Sequence, residues 1–262
     1  MLMAVNVGNT QTKLGVFEGD ELRARWRMAT ETHRTADELG ASIASFMELR
    51  DMKLSSVDAL IIASDVPELS RSYRQFGRNM LKVPFYSVTP EMKTGLPNLY
   101  DDPNAVGSDR IVNSVAAKEL YGAPAIIVDF GTATTVCAVD SDGAYRGGAI
   151  MPGIYVSLDA LIARAAKLSG VDLEEKETCA IATNTPDSIR SGFVYGYAGA
   201  IDALIRRFKE ELEENSSGSL WVIATGGPAS AIVHHCEEIE SLDSDLTLKG
   251  LRVLYGMNPG VF

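Results

Sequence analysis

The feature that most constrains this chain is a turn that it makes twice. The apolar run Met3-Ala-Val-Asn-Val-Gly-Asn-Thr10 is followed at once by a second run, Lys13-Leu-Gly-Val-Phe17. The run Ile126-Ile-Val-Asp-Phe-Gly-Thr-Ala-Thr-Thr135 is followed in the same way by Val136-Cys-Ala-Val139. Glycine lets backbone N–H groups approach an anion closely, and threonine adds a hydroxyl donor beside them. Two such turns, about 120 residues apart, predict two similar half-structures facing one nucleotide. They differ in one respect: Asn6 stands in the first turn where Asp129 stands in the second.

The elements around the two turns repeat in order. Residues 2–7, 12–17 and 21–27 read as strands, the last two joined by the hairpin signal Glu18-Gly-Asp20. Thr35-Ala-Asp-Glu38 is a capping box, and Leu39, Ile43 and Met47 follow at helical spacing. A strand at Ala59–Ala63, a helix over 68–81 and a strand at Pro84–Val88 complete the first half. In the second half, strands are expected at 125–129, 134–139 and 145–151, then helices over 154–168 and 186–214. A strand at Leu220–Thr225, a surface turn at 215–219 and a helix at Pro228–Glu238 follow, and residues 246–255 carry a weaker signal. This is the order of the duplicated actin, sugar-kinase and chaperone-ATPase architecture (ribonuclease H-like α/β halves). The expected division is 1–118 and 119–262, within or after the helix Ile111–Leu120. A ligand cleft between the halves is the corresponding expectation.

Bulk properties narrow the partners. The 262 residues carry a net charge of −11, which disfavours nucleic acid or an anionic membrane as a general partner. No apolar run approaches the roughly 20 residues of a membrane span. The start, Met-Leu-Met-Ala-Val-Asn, reads as a strand without a basic leader, so a cytoplasmic protein is expected. Cys137, Cys179 and Cys236 are scattered without zinc or disulfide spacing, and read as incidental thiols, Cys236 late in a helix. His33, His234 and His235 do not form a metal cluster.

Phosphoryl transfer needs positioning, charge neutralisation, a metal-holding carboxylate and a base for the attacking hydroxyl. The turn from Asn6 to Thr10, with Lys13 beyond it, offers N–H donors and a cation; the bland alternative is a hairpin with positive φ at Gly8 and Asn9. Asp129, ending an apolar strand beside glycine and threonine hydroxyls, is poorly explained by packing. In Val106-Gly-Ser-Asp-Arg110, Asp109 is a candidate general base and Arg110 an anion clamp. Helix capping by Ser108 and Asp109 is the alternative there. Tyr100 lies where it could close over a small molecule. The glycines at 147–148 and at 226–227 fit nucleotide approach or tight packing equally well.

Taken in order, these motifs resemble the type III pantothenate kinases, nearly end to end. The matching stretches are Val7-Gly-Asn-Thr10, Arg34-Thr-Ala-Asp37, Gly107-Ser-Asp-Arg110, Asp129–Thr135 and Gly147-Gly-Ala-Ile150. Asn184-Thr185, Ser191-Gly192, Ala224-Thr-Gly-Gly227 and Leu246-Thr-Leu-Lys-Gly-Leu251 continue the series. The resemblance implies a homodimer that phosphorylates pantothenate with ATP and Mg²⁺, aided by K⁺ or NH₄⁺. It implies Asp109 as proton acceptor and Asp129 as the monovalent-cation residue. Asn6, Val7, Gly8, Asn9, Thr10, Gln11, Thr12, Lys13 and Thr132 would contact ATP. Tyr100, Gly107, Ser108, Asp109, Arg110 and Thr185 would line the pantothenate site, near the dimer interface.

The departures matter as much. The family's first turn begins with aspartate, and Asn6 keeps its shape but not its charge. Ala182-Thr183 stands where Gly-Lys is usual, and Asn98, Ser169 and Asp65 are also unusual. Asn6 motivates an alternative, a catalytically impaired paralogue binding nucleotide or pantothenate as an accessory or regulatory protein. Positions 98 and 182–183 keep a different small hydroxyl acceptor open.

Overall fold

The computed structural model describes residues 1–164, 171–173, 179–213 and 219–260. The chain divides into two compact units, each built on a five-stranded mixed sheet. The first sheet contains β1 (Leu2–Val7), β2 (Gln11–Glu18), β3 (Glu21–Ala29), β4 (Ala59–Ser64) and β5 (Phe85–Ser87). The second contains β6 (Ala125–Phe130), β7 (Ala133–Val139), β8 (Tyr145–Pro152), β9 (Trp221–Gly226) and β10 (Ser241–Leu242). Their spatial orders are β3-β2-β1-β4-β5 and β8-β7-β6-β9-β10, one pattern used twice. In each, three strands form an antiparallel meander and two more run parallel to the first strand.

Seven helices complete the units: α1 (Ala36–Glu48), α2 (Pro67–Phe76), α3 (Ser108–Leu120), α4 (Ile154–Arg164), α5 (Thr185–Glu213), α6 (Ala229–Ile232) and α7 (Leu246–Met257), counting the described residues. Alternation along each sheet decides what is buried. Val5, Val7, Leu14, Val16, Leu60 and Ile62 face Leu39, Ile43 and Met47 of α1 and Leu69, Tyr73 and Phe76 of α2. In the second unit Val128, Phe130, Val136 and Ala224 face Leu158 of α4 and Val194, Ile201 and Ile205 of α5. Each large aliphatic side chain so buried contributes about 1.5–3 kcal/mol. The opposite sheet face is therefore left to carry Asn6 and Asp129.

Local signals act as expected at the start of α1, where Thr35 Oγ1 accepts the Glu38 N–H at 3.3 Å and Glu38 Oε2 accepts the Thr35 N–H at 2.8 Å. The helix expected over 68–81 is different: α2 ends at Phe76, and Gly77–Leu81 wind as a π-helical turn. Gly77 lies so close to β4 that an added Cβ would sit 3.2 Å from Leu60 Cδ2. The helix expected over Pro228–Glu238 is also shorter. It ends at Ile232, and Val233–His235 form a 3₁₀ turn. Asp202 of α5 accepts the N–H groups of Glu237 (3.0 Å) and Glu238 (3.1 Å), which draws the chain out of helical winding. Cys236 thus follows the helical turns rather than ending a helix.

The largest departure from the 118/119 division concerns residues 246 onward, which are compact with the first unit. Helix α7 lies against β1, β2 and β4. It approaches α3 so closely that a Cβ on Gly250 would be 2.4 Å from Val112 O. Asn258 fastens the segment further, accepting the Lys93 N–H at 3.0 Å and donating to Lys93 O at 2.8 Å. The expected helix ends at 165–168 and 214, the turn at 215–218 and Ser169 lie outside the described residues.

Candidate functional site

The first turn is held from below. Gly8 N–H donates to Gln11 O at 3.1 Å, and a Cβ on Gly8 would lie 3.0 Å from that oxygen. Neither Gly8 nor Asn9 has positive φ, so the glycine serves close approach rather than a left-handed bend. Thr30 Oγ1 donates to Gly8 O at 2.7 Å and lies 2.9 Å from Thr12 Oγ1, while Thr30 N–H donates to Thr10 O at 2.9 Å. Thr12 is therefore buried and engaged within the fold, whereas Asn9, Thr10 and Gln11 are exposed. Sequence reasoning missed Thr30, which is 20 residues beyond Thr10 and carries no motif of its own. Asn6 and Lys13 are register partners across β1 and β2, so their side chains leave the same face of the sheet.

The 107–110 segment opens α3. Asp109 lies in its first turn, where the exposed N–H groups and the helix dipole favour a carboxylate. Asp109 Oδ1 accepts the Arg110 N–H at 2.7 Å. Asp65, just past the end of β4, accepts from Ser108 N (3.3 Å) and Ser108 Oγ (3.2 Å). Gly107 is confined by these two acids: its Cβ would lie 2.9 Å from Asp109 Oδ1 and 3.7 Å from Asp65 Oδ2. Arg110 is 7% exposed, so it is built into the unit rather than free at its surface.

In the second turn Asp129 is the penultimate residue of β6, as Asn6 is of β1. It is flanked in register by Thr135 of β7 and Thr225 of β9. Thr225 is fully buried, and its Oγ1 has no hydrogen-bond partner among the described residues. The next residue toward solvent on β6, Phe130, points to the core, and its partner Thr134 lies 2.7 Å from the Tyr197 hydroxyl. The turn itself is gripped by Gly153, whose N–H donates to Thr132 O at 3.0 Å. A Cβ there would meet Gly131 O at 2.3 Å. Thr132 is exposed at the tip.

The remaining residues have clear places in the second unit. Residues 98–100 are joined to β8 by the Leu99 N–H to Tyr145 O bond of 3.0 Å. Tyr100 packs against Gly147, where φ is +113° and a Cβ would lie 3.4 Å from the ring. Gly148 and Gly226 admit no side chain, since a Cβ would be 1.9 Å from Val136 O and 2.2 Å from Phe130 O respectively. Close packing of backbone therefore accounts for both glycine sites. Thr185 opens α5 and lines an apolar cavity of about 500 Å³ with Leu161, Ser188, Gly192, Phe193 and Tyr197.

Among the described residues, no group of three or more His, Cys, Asp or Glu side chains is gathered to hold a metal ion. A divalent ion here suits the usual arrangement in which it arrives on nucleotide phosphates. The Asp129 carboxylate has Thr135 and Thr225 as register neighbours, oxygen donors compatible with a small cation, and the Thr225 Oγ1 without a hydrogen-bond partner among the described residues is the observation behind that fit. No described helix is long and apolar enough to cross a membrane.

Comparison with known proteins identifies the family. The family profile described as type III pantothenate kinase matches residues 2–207. The chain is 64% identical to a type III pantothenate kinase of Rubrobacter xylanophilus over 259 residues, covering 98% of both chains. It is 42% identical to a type III pantothenate kinase of Halalkalibacterium halodurans, covering 98% of this chain and 100% of that one. Among solved structures it resembles a protein of Sinorhizobium meliloti assigned as a 2-dehydro-3-deoxygalactonokinase, with a TM-score of 0.54 at 10% identity, covering 100% and 98% of the two chains. That likeness concerns the fold alone. By profile, by identity along nearly its whole length and by the repeated sheet, this chain belongs to the type III pantothenate kinase family.

Proposed function

We propose that this protein transfers the γ-phosphoryl group of ATP to the primary hydroxyl of pantothenate, giving 4'-phosphopantothenate, the first step toward coenzyme A. The observation that carries the reading is the 64% identity to a type III pantothenate kinase over 98% of both chains. That extent of likeness favours an enzyme over an accessory binding protein, even with Asn6 in the first turn.

In this reading Asp109 accepts the proton of the pantothenate hydroxyl as its oxygen bonds to the γ-phosphorus and ADP departs. It stands in the first turn of α3, where its Oδ1 accepts the Arg110 N–H and the carboxylate is held in place. The exposed tip Asn9–Gln11, with Val7, Gly8 and Lys13, is a phosphate-binding turn for ATP in this reading, and Thr132 at the tip of the second turn is a further ATP-binding residue. When bound with the nucleotide, Mg²⁺ would supply charge neutralisation of the transferring phosphate. Tyr100, Gly107, Ser108, Arg110 and Thr185 are the pantothenate-binding residues of this reading, and Asp129 the residue for K⁺ or NH₄⁺. A cytoplasmic homodimer is part of the same proposal.

A coupled ADP-release assay with ATP, Mg²⁺, K⁺ and pantothenate tests it. Turnover that depends on pantothenate is expected. Its absence at millimolar substrate would sink the proposal, and a panel of other small hydroxyl acceptors would identify a different substrate.

A further inference from the structure

Thr225 is a buried polar group that nothing in the fold explains. It is 0% exposed, and its Oγ1 has no hydrogen-bond partner among the described residues. Most buried threonine hydroxyls return their proton to a backbone carbonyl or meet another side chain, and leaving one unmet is costly. Its neighbour Thr134 shows the ordinary solution, lying 2.7 Å from the Tyr197 hydroxyl on the core side of the sheet. Thr225 is on the other side, in register with Asp129 on the adjacent parallel strand. Alternation confirms the facing: Val128 and Ala224 both point to the core, so Asp129 and Thr225 both point away from it.

The strand end is closely packed against β6. Gly226, immediately after Thr225, holds φ at +106°, and a Cβ there would meet Phe130 O at 2.2 Å. We propose that the Thr225 hydroxyl oxygen is a binding residue of the monovalent-cation site, standing beside the Asp129 carboxylate. The inference rests on the reading that Asp129 holds such a cation. Chemically the pair is matched to one charge: a single carboxylate neutralises it, and a neutral hydroxyl adds an oxygen without surplus charge.

The test is thermal unfolding of the full-length protein as KCl is titrated at constant ionic strength with choline chloride. Wild type, Thr225→Val, Thr225→Ser and Asp129→Asn are compared. Valine has the shape of threonine but no hydroxyl, so without K⁺ it removes an unmet polar group and should raise Tm by about 2–4 °C. The same variant should raise the KCl midpoint about tenfold, as expected for loss of one oxygen to a charged partner. Thr225→Ser, which keeps the oxygen, should stay within about twofold of wild type. A Thr225→Val midpoint equal to wild type would overturn the inference while leaving Asp129 as the cation residue. A lower Tm without K⁺ would also overturn it, because the hydroxyl would then have a partner in the protein. If wild type and Asp129→Asn respond to KCl identically, the cation reading of Asp129 fails first, and the Thr225 inference with it.

Discussion

Asn6 stands directly across β1 and β2 from Lys13, in the position that Asp129 holds across β6 and β7 from Thr135. The two turns are thus equivalent in backbone but opposite in charge. The first presents an amide with a cation beside it, the second a carboxylate with a hydroxyl. Asn6→Asp would return a negative charge to the first turn. We expect it to raise turnover about tenfold at limiting Mg²⁺, equivalent to about 1.4 kcal/mol of barrier. Rate against Mg²⁺ concentration at saturating ATP measures it. An unchanged curve would mean that the carboxylate is spent on Lys13 and never meets the metal.

Asp109 is the second test. Asparagine keeps its shape and can still accept the Arg110 N–H, now at 2.7 Å from Asp109 Oδ1, but cannot take a proton. Asp109→Asn should lower kcat by about 10²–10⁴ with ATP affinity unchanged. Calorimetric titration of ATP into the variant separates the two effects. A kcat within threefold of wild type would remove Asp109 as the base.

Much of this was legible because the core is a simple alternation. Each meander reads as apolar runs joined by turns, and Asp129 stands out because a carboxylate on such a strand has no packing reason. Thr30 and Asp65 were not legible as partners of the two sites, since their hydrogen bonds to Gly8 and Ser108 cross 22 and 43 residues. The end of α6 was hidden for the same reason: Asp202, about 35 residues earlier, captures the N–H groups that a longer helix would have used. The packing of α7 on the first unit follows from Gly250 meeting Val112 O, a contact that a helical pattern alone cannot show.

Gly226 allows a stability test of the strand end. Alanine there must adopt φ near +106° and place its Cβ 2.2 Å from Phe130 O. Gly226→Ala should cost about 3 kcal/mol or more, through strain and displaced backbone together. Urea unfolding with an unchanged m-value checks this. A cost below 1 kcal/mol would show that β9 can shift away from β6.

The cysteines differ in reactivity. Cys179 is exposed, Cys137 is buried, and burial pushes the Cys236 thiol up to about 12, with the nearby Asp202 charge adding to the effect. At pH 8 the native protein should therefore react with a thiol reagent at one cysteine per chain, Cys179, and at the others only after denaturation. Because the Cys236 pKa returns to about 8.5 on unfolding, its neutral thiol favours the folded state less and less as pH rises from about 9 toward 12. A second fast-reacting thiol in the native protein at pH 8 would contradict the assignment.

Two tyrosines should respond oppositely to loss of a hydroxyl. The Tyr197 hydroxyl lies 2.7 Å from Thr134 Oγ1 and 2.7 Å from Pro152 O, tying α5 to β7 and β8 behind the second turn. Tyr197→Phe leaves those groups unmet and should cost about 1–2 kcal/mol. The Tyr73 hydroxyl is buried among α1, α2 and β4 with no hydrogen-bond partner among the described residues, and burial raises its pKa. Tyr73→Phe keeps the ring and discards the unmet group, so stability should be unchanged or up to about 1 kcal/mol higher. Urea denaturation of both variants beside wild type gives the two signs. A loss of more than 1 kcal/mol in Tyr73→Phe would mean that this hydroxyl is satisfied in solution by bound water, and a null effect in Tyr197→Phe would mean that the turn does not depend on its brace.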